Sequence, residues 1–224
     1  ELPEYVASAT KDKGFYAIVV LFKTFISQSD IVFFLVLAAV QMLAIVYVYR
    51  KYSCDFLFSI FLFVASADYL SWMHNGIRQF IAVSIIFACL PLLEKKKYVR
   101  VIIIVLLASL IHASALLFLP FVFIINGKAW NRRTVFFLFA VVLSVLFLEQ
   151  FAGIITDAME STQYSSEVTQ FVNDTGVNLL RVLFYSIPAI MSLAFRNRLS
   201  TENNTVINIC INLSAVTSGF YVIG

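Results

Sequence analysis

Residues 31–51 read "IVFFLVLAAVQMLAIVYVYRK". From Ile31 to Tyr49 the stretch carries no charge, and Arg50 and Lys51 then end it. The hydrocarbon core of a bilayer is about 30 Å thick and takes about 20 apolar residues to cross as a helix. This stretch has that length and that chemistry, and a basic pair at one end fixes which side it stops on. It predicts a transmembrane helix.

The rest of the chain agrees. Of its 224 residues 61% are hydrophobic and 13% are charged, and the mean hydropathy is +0.92. A soluble domain carries about 25% charged residues, so half of the usual solvating surface is missing. With 23 Phe and 10 Tyr, one aqueous core of this size is implausible. The fold class expected is all-α, a polytopic integral membrane helical bundle. A net charge of +3 is too small to argue for a nucleic-acid partner. Cys54, Cys89 and Cys210 lie far apart and follow no metal or disulfide spacing, so they read as small buried hydrophobes. No metal and no cofactor is expected. The chain opens at Glu1 without a methionine and stops inside an apolar run at Gly224. The expectation is a single transmembrane domain over 1–224 that is a fragment of a longer chain.

Further spans are read at 55–73, 77–93, 101–125, 135–155, 178–195 and 205–224. Arg50 and Lys51, then Lys95, Lys96, Lys97 and Arg100, then Lys128, Arg132 and Arg133, then Arg196 and Arg198 follow or precede these spans. Basic loops stay cytoplasmic, which places all four groups inside. The loop at 156–177 holds Asp157, Glu160, Glu167 and Asp174 with no Lys or Arg, and belongs outside. So does the turn at 74–78. The segment "KGFYAIVVLFKTFIS" before the first span is apolar but short and carries Lys23, which suits an interfacial helix on the outer face.

Residues 101–125 are the exception to a simple count. They lie between two basic loops and should cross an even number of times, yet two full spans need at least about 34 residues. In "LASLIHASALLFLP", His112 interrupts the run, Ser114 can cap a second helix, and Pro120 is tolerated within it. The favoured reading is a broken or re-entrant pair of short helices that bends near His112. The other is one tilted span that breaks the charge rule.

Ionisable groups at membrane depth are costly and are functional candidates by default. Arg78 opens a descending helix just after "HNG", with His74, Asn75 and Gln79 as polar company. One reading is a snorkelling anchor. The other is an anion site, because a helix head already favours negative charge and a guanidinium adds to it. His112 is either a packing residue or a proton carrier. Arg78 lies 16 residues before Glu94, about 24 Å up its helix, and His112 lies 12 residues after Arg100, about 18 Å up. The two side chains are therefore expected at similar depth on neighbouring helices. Asp68 reads as an ion-pair partner of Arg78, or else as a base. Arg181 is a second cation at the outer surface. Asn208, Asn212, Ala215 and Gly219 share one helical face and read as a packing seam, and the sequons at Asn203 and Asn212 read as chance.

The stretch "NGIRQFIAVSIIFACLPLLEKKKYVRVIIIVLLASLIHASALLFLP" resembles the EpsG/Wzy-like family of exopolysaccharide polymerases. The matching residues are Arg78, Gln79, Ala82, Lys95, Lys96, Lys97, His112, Ser114, Ala115 and Pro120. "DKGFYAIVVLFKTF" is similar to a segment those proteins place before their second span, and the outer loop with Tyr164 fits more loosely. The resemblance extends over most of residues 12–195. The family's Gly-x-Asp-x-x-x-Tyr element is read as missing.

The resemblance implies a membrane glycosyltransferase at the extracytoplasmic face of a bacterial plasma membrane. Its substrate is an oligosaccharide repeat unit on polyprenyl (undecaprenyl) diphosphate, joined into exopolysaccharide of capsule or O-antigen type. Arg78, His112 and Asp68 take the catalytic roles, with His112 or Asp68 as base. His74, Asn75, Gln79, Ser114, Tyr164 and Arg181 contact substrate, Arg181 as a second clamp on the diphosphate. Expected partners are the lipid-linked substrate, membrane lipid, a chain-length regulator and other polysaccharide-assembly proteins. A transporter or flippase of lipid-linked sugars is the alternative, though such proteins carry midplane carboxylates and repeated helical units that are not evident here. An O-acetyl transferase would need its basic and His residues at the inner face.

Overall fold

Long apolar runs form helices because a chain in hydrocarbon must satisfy its own N–H and C=O groups. A computed structural model describes residues 12–66, 76–147, 154, 179–195 and 204–223. Every regular element among the described residues is helical. The chain forms two compact units, one up to Val122 and the other from Phe123 on.

The first unit holds α1 (Lys13–Phe25), α2 (Asp30–Tyr52), α3 (Phe56–Ala65), α4 (Ile77–Phe87), α5 (Leu90–Glu94) and α6 (Tyr98–Ile111). A 3₁₀ turn, Ala113–Leu117, leads into α7 (Phe118–Ile124). The second unit holds α8 (Arg132–Leu146), α9 (Leu179–Ala194) and α10 (Thr205–Ile223). Among the described residues three stretches are long and apolar enough to cross a membrane: Asp30–Tyr52, Ile77–Glu94 and Thr205–Val222. Shorter apolar helices, Phe56–Ala65, Tyr98–Ile111, Ala113–Ile124 and Leu180–Ala194, fall in other expected spans, and α8 runs into the one read at 135–155. Ile31, Leu57, Phe136, Leu146 and Leu180 are among the many large apolar side chains left exposed, which water would penalise and lipid does not.

The expected break in 101–125 is present. α6 ends at Ile111, and His112 takes extended backbone angles (φ −151°, ψ 121°) before the 3₁₀ turn begins. Ser114 sits inside that turn and not at the head of a second helix, so it is not the cap the sequence suggested. A smaller break separates α4 from α5 at Ala88–Cys89. Pro91 has no N–H to donate, and its ring crowds the carbonyl four residues earlier.

Helix lengths decide where the polar groups go. α2 has 23 residues, about 34 Å, whereas α6 has 14, about 21 Å. Tyr52 and Lys51 at the end of α2 both reach Glu94 at the end of α5, so these basic ends lie level. From that common end the shorter helices stop part-way along α2. Gln41, buried midway down α2, donates to the carbonyl of Ile77 at the head of α4 (3.3 Å). The recess so formed is filled by α1, whose Phe22 packs with Phe33, Leu37 and Ile81. α1 packs on both α2 and α6. Asp12 at its start reaches the head of α4 and the tail of α6, while Lys23 near its end pairs with Asp30 at the head of α2 (2.6 Å).

In the second unit α10 packs on both α8 and α9. Ala215 is buried, and a Cβ at Gly219 would sit 3.1 Å from Leu138 and 3.2 Å from Phe137, so this face is the close-packed seam the sequence suggested. The two asparagines on it do more. Asn212 accepts from the Trp130 N–H and donates to the carbonyls of Ile125 and Lys128, and Asn208 accepts from the Ala129 N–H. Trp130 Nε1 donates to Ser192 near the end of α9. The 125–131 turn is thus tied to both helices at the basic end. Asn212 is fully buried with its amide fully engaged, so its sequon is indeed incidental; Asn203 lies outside the described residues. Cys89 is buried as expected, but Cys54 and Cys210 are exposed. Cys54 follows α2 in a bend, and Cys210 lies on the exposed side of α10, where an apolar thiol meets no penalty in lipid.

Candidate functional site

The site begins at Asp12. An Asp before a helix ordinarily turns its carboxylate onto the free amides of the first turn. Asp12 precedes α1 but makes no such bond, and its backbone is left-handed (φ 53°, ψ 40°). That conformation costs a non-glycine residue on the order of 1 kcal/mol and persists only where other contacts enforce it. Here the contacts are specific. Oδ2 accepts from Arg78 Nη1 at 2.9 Å and lies 3.2 Å from His112 Nδ1, while Oδ1 accepts from the Ala113 N–H at 3.4 Å. The carboxylate is only 6% exposed, against 42% for the Arg78 side chain and 22% for His112.

Local sequence explains each arm. His112 projects here because the helix ends one residue earlier and its own backbone is extended. Arg78 projects because Gly76 opens α4 and Gln41 anchors the Ile77 carbonyl beside it. Asp12 arrives because Gly14 lets α1 close on α6: a Cβ there would lie 2.5 Å from the Leu110 carbonyl oxygen. Phe15, on the same turn, places its ring 5.9 Å from the Arg78 guanidinium carbon.

Beside this cluster opens a cavity of about 310 Å³, lined by Phe15, Phe34, Gly76, Ile77, Arg78, Gln79 and His112. That is at the lower end of the range for small-ligand sites. One nitrogen of Arg78 is held by Asp12, and the rest of its donor fork remains for a ligand. The head of α4 adds backbone amides with partial positive charge on the same wall. A recessed, partly solvated cavity with a guanidinium and an imidazole on its wall can take a charged oxyanion and exchange a proton. Among the described residues no group of three or more His, Cys, Asp or Glu is arranged to hold a metal ion.

Of the residues expected from sequence, Arg78, Gln79 and His112 come together on this cavity. Ser114 follows His112 by two residues and does not line it. Arg181 belongs to the second unit, 4.8 Å over the Tyr221 ring. Asp68, His74, Asn75 and Tyr164 lie outside the described residues. Among the described residues the carboxylate partner of Arg78 is Asp12; Asp68, the partner expected from sequence, lies outside them. Asp12 escapes a motif search because Thr10 stands where the family element begins with glycine. The Asp12-x-x-x-Tyr16 half of that element is nonetheless present, which corrects the reading that it is missing.

The profile of the EpsG family matches residues 1–224, the whole chain. The chain belongs to the EpsG family, and so to membrane proteins of polysaccharide-polymerase type. No curated protein and no solved structure matches it.

Proposed function

From its place in the EpsG family, we propose that this protein polymerises lipid-linked oligosaccharide repeat units into exopolysaccharide at the extracytoplasmic face of the plasma membrane. The growing glycan leaves its polyprenyl diphosphate and is joined to the non-reducing sugar of the next repeat unit. As the anomeric C–O bond breaks, negative charge builds on the diphosphate. Preorganised cations beside it stabilise that charge. Arg78 does this with the planar donors that Asp12 leaves free, and the head of α4 assists. The acceptor hydroxyl gives its proton to His112 as the new glycosidic bond forms.

The observation that carries this reading is the convergence of Arg78 and His112 on one cavity that opens among apolar helices. A lipid diphosphate needs both parts, a cation for its head and a greasy approach for its tail. At rest Asp12 neutralises Arg78, so no unpaired guanidinium is left at membrane depth.

Deletion of the gene tests the reading against a flippase. Loss of a polymerase leaves single repeat units displayed outside the cell, and loss of a flippase traps them inside. Trapped units would overturn the proposal.

A further inference from the structure

Asp12 touches neither end of the proposed reaction and yet holds both residues that do. We infer that Asp12 is a positioning residue that fixes the tautomer of His112 and the rotamer of Arg78, and so makes the imidazole competent as a base. The inference rests on the reading of His112 as proton acceptor for the incoming hydroxyl.

The argument starts from the atoms. A carboxylate is an acceptor only, so the imidazole nitrogen 3.2 Å from Oδ2 must carry the hydrogen. That nitrogen is Nδ1. In the neutral ring the lone pair then belongs to Nε2, the nitrogen not engaged by Asp12. Proton transfer is balanced on this arrangement. The acceptor hydroxyl gives its proton to Nε2, its oxygen bonds to the anomeric carbon, and the C–O pair departs with the diphosphate. The imidazolium that results is stabilised by Asp12 and returns the proton to solvent. Without Asp12 the ring is free to place its hydrogen on Nε2, where it blocks the base.

Three features show that the carboxylate is directed here and is not a helix cap that strayed. It forgoes the amides of its own helix, its backbone is left-handed, and Gly14 removes the Cβ that would hold α1 away from Leu110. The Ala113 N–H adds a third donor that stops the carboxyl from rotating. One carboxylate thereby orients a base and, through Arg78 Nη1, the cation for the leaving group.

The test is ¹⁵N NMR of the full chain labelled at histidine and reconstituted in lipid nanodiscs. Only His74 and His112 contribute, and the spectrum of His112→Gln assigns them. In its neutral form the wild-type His112 is expected to carry its hydrogen on Nδ1. In Asp12→Ala, which takes the acceptor away from Nδ1, the hydrogen should move to Nε2, and Asp12→Glu should keep the wild-type form in part. Elongation of a lipid-linked repeat unit should fall in Asp12→Ala by about 10²- to 10⁴-fold in kcat. A neutral wild-type ring with its hydrogen on Nε2, or an unchanged pattern in Asp12→Ala, overturns the inference whatever the enzyme's activity. If Asp12→Ala fails to fold, the wild-type spectrum alone decides. Absence of any elongation by a wild type with the expected tautomer would instead sink the polymerase reading and the base role with it, and leave standing only the orientation of the ring by Asp12.

Discussion

Asn212 and Arg78 are polar groups in apolar helical surroundings, one in each unit, and they are held in different ways. Asn212 is 0% exposed and makes three hydrogen bonds to loop backbone. Its amide has no donor left for a ligand. Arg78 is 42% exposed, uses one nitrogen on Asp12, and lines an open cavity with the rest of its fork. Full satisfaction marks a residue that holds the fold. Partial satisfaction beside a cavity marks one that waits for a partner.

That contrast is breakable by mutation. The largest effect is expected at Arg78→Ala, which should cut chain elongation by at least about 10²- to 10³-fold, the scale of losing an oxyanion donor. Arg78→Lys keeps the charge but loses the planar fork, and should recover only part of the activity. Gly14→Ala comes next. Its new methyl meets the Leu110 carbonyl oxygen, which cannot move aside as a side chain can, so α1 must withdraw and take Asp12 with it. A displacement of about 1 Å costs on the order of 10²-fold in rate, with helical content by circular dichroism unchanged.

Asn212→Ala should behave in the opposite sense. It strips partners from the Trp130 N–H and from the Ile125 and Lys128 carbonyls, so stability should fall by about 2–3 kcal/mol in detergent unfolding. Elongation per folded molecule should hold. The smallest effect is expected from Lys23→Ala. Its partner Asp30 is largely exposed, and such pairs contribute about 0.5 kcal/mol or less.

Much of this was legible before coordinates. Length, apolarity and basic loops locate the helices, because the bilayer imposes one thickness on all of them. The break at His112 follows from two basic loops too close together for a simple crossing. The meeting of Arg78 and His112 follows from counting helical rise up from a shared basic end. Asp12 was hidden for a physical reason. It stands between Lys11 and Lys13 ahead of a short helix, which reads as surface charge. Only the tertiary closure of α1 into the recess, permitted by Gly14, brings it inward. The same closure gives Arg78 a carboxylate partner that the sequence did not point to. The asparagines of α10 were found as a seam, but their loop-holding bonds depend on a turn with Trp130 at φ 56°, which spacing does not reveal.

The most direct measurement is elongation of a purified lipid-linked repeat unit by Arg78→Ala and Asn212→Ala proteins, each normalised to its folded fraction. The first should release no polymer above background while the second matches the wild type. Long chains from the Arg78→Ala protein would show that the lipid diphosphate is held somewhere other than in this cavity.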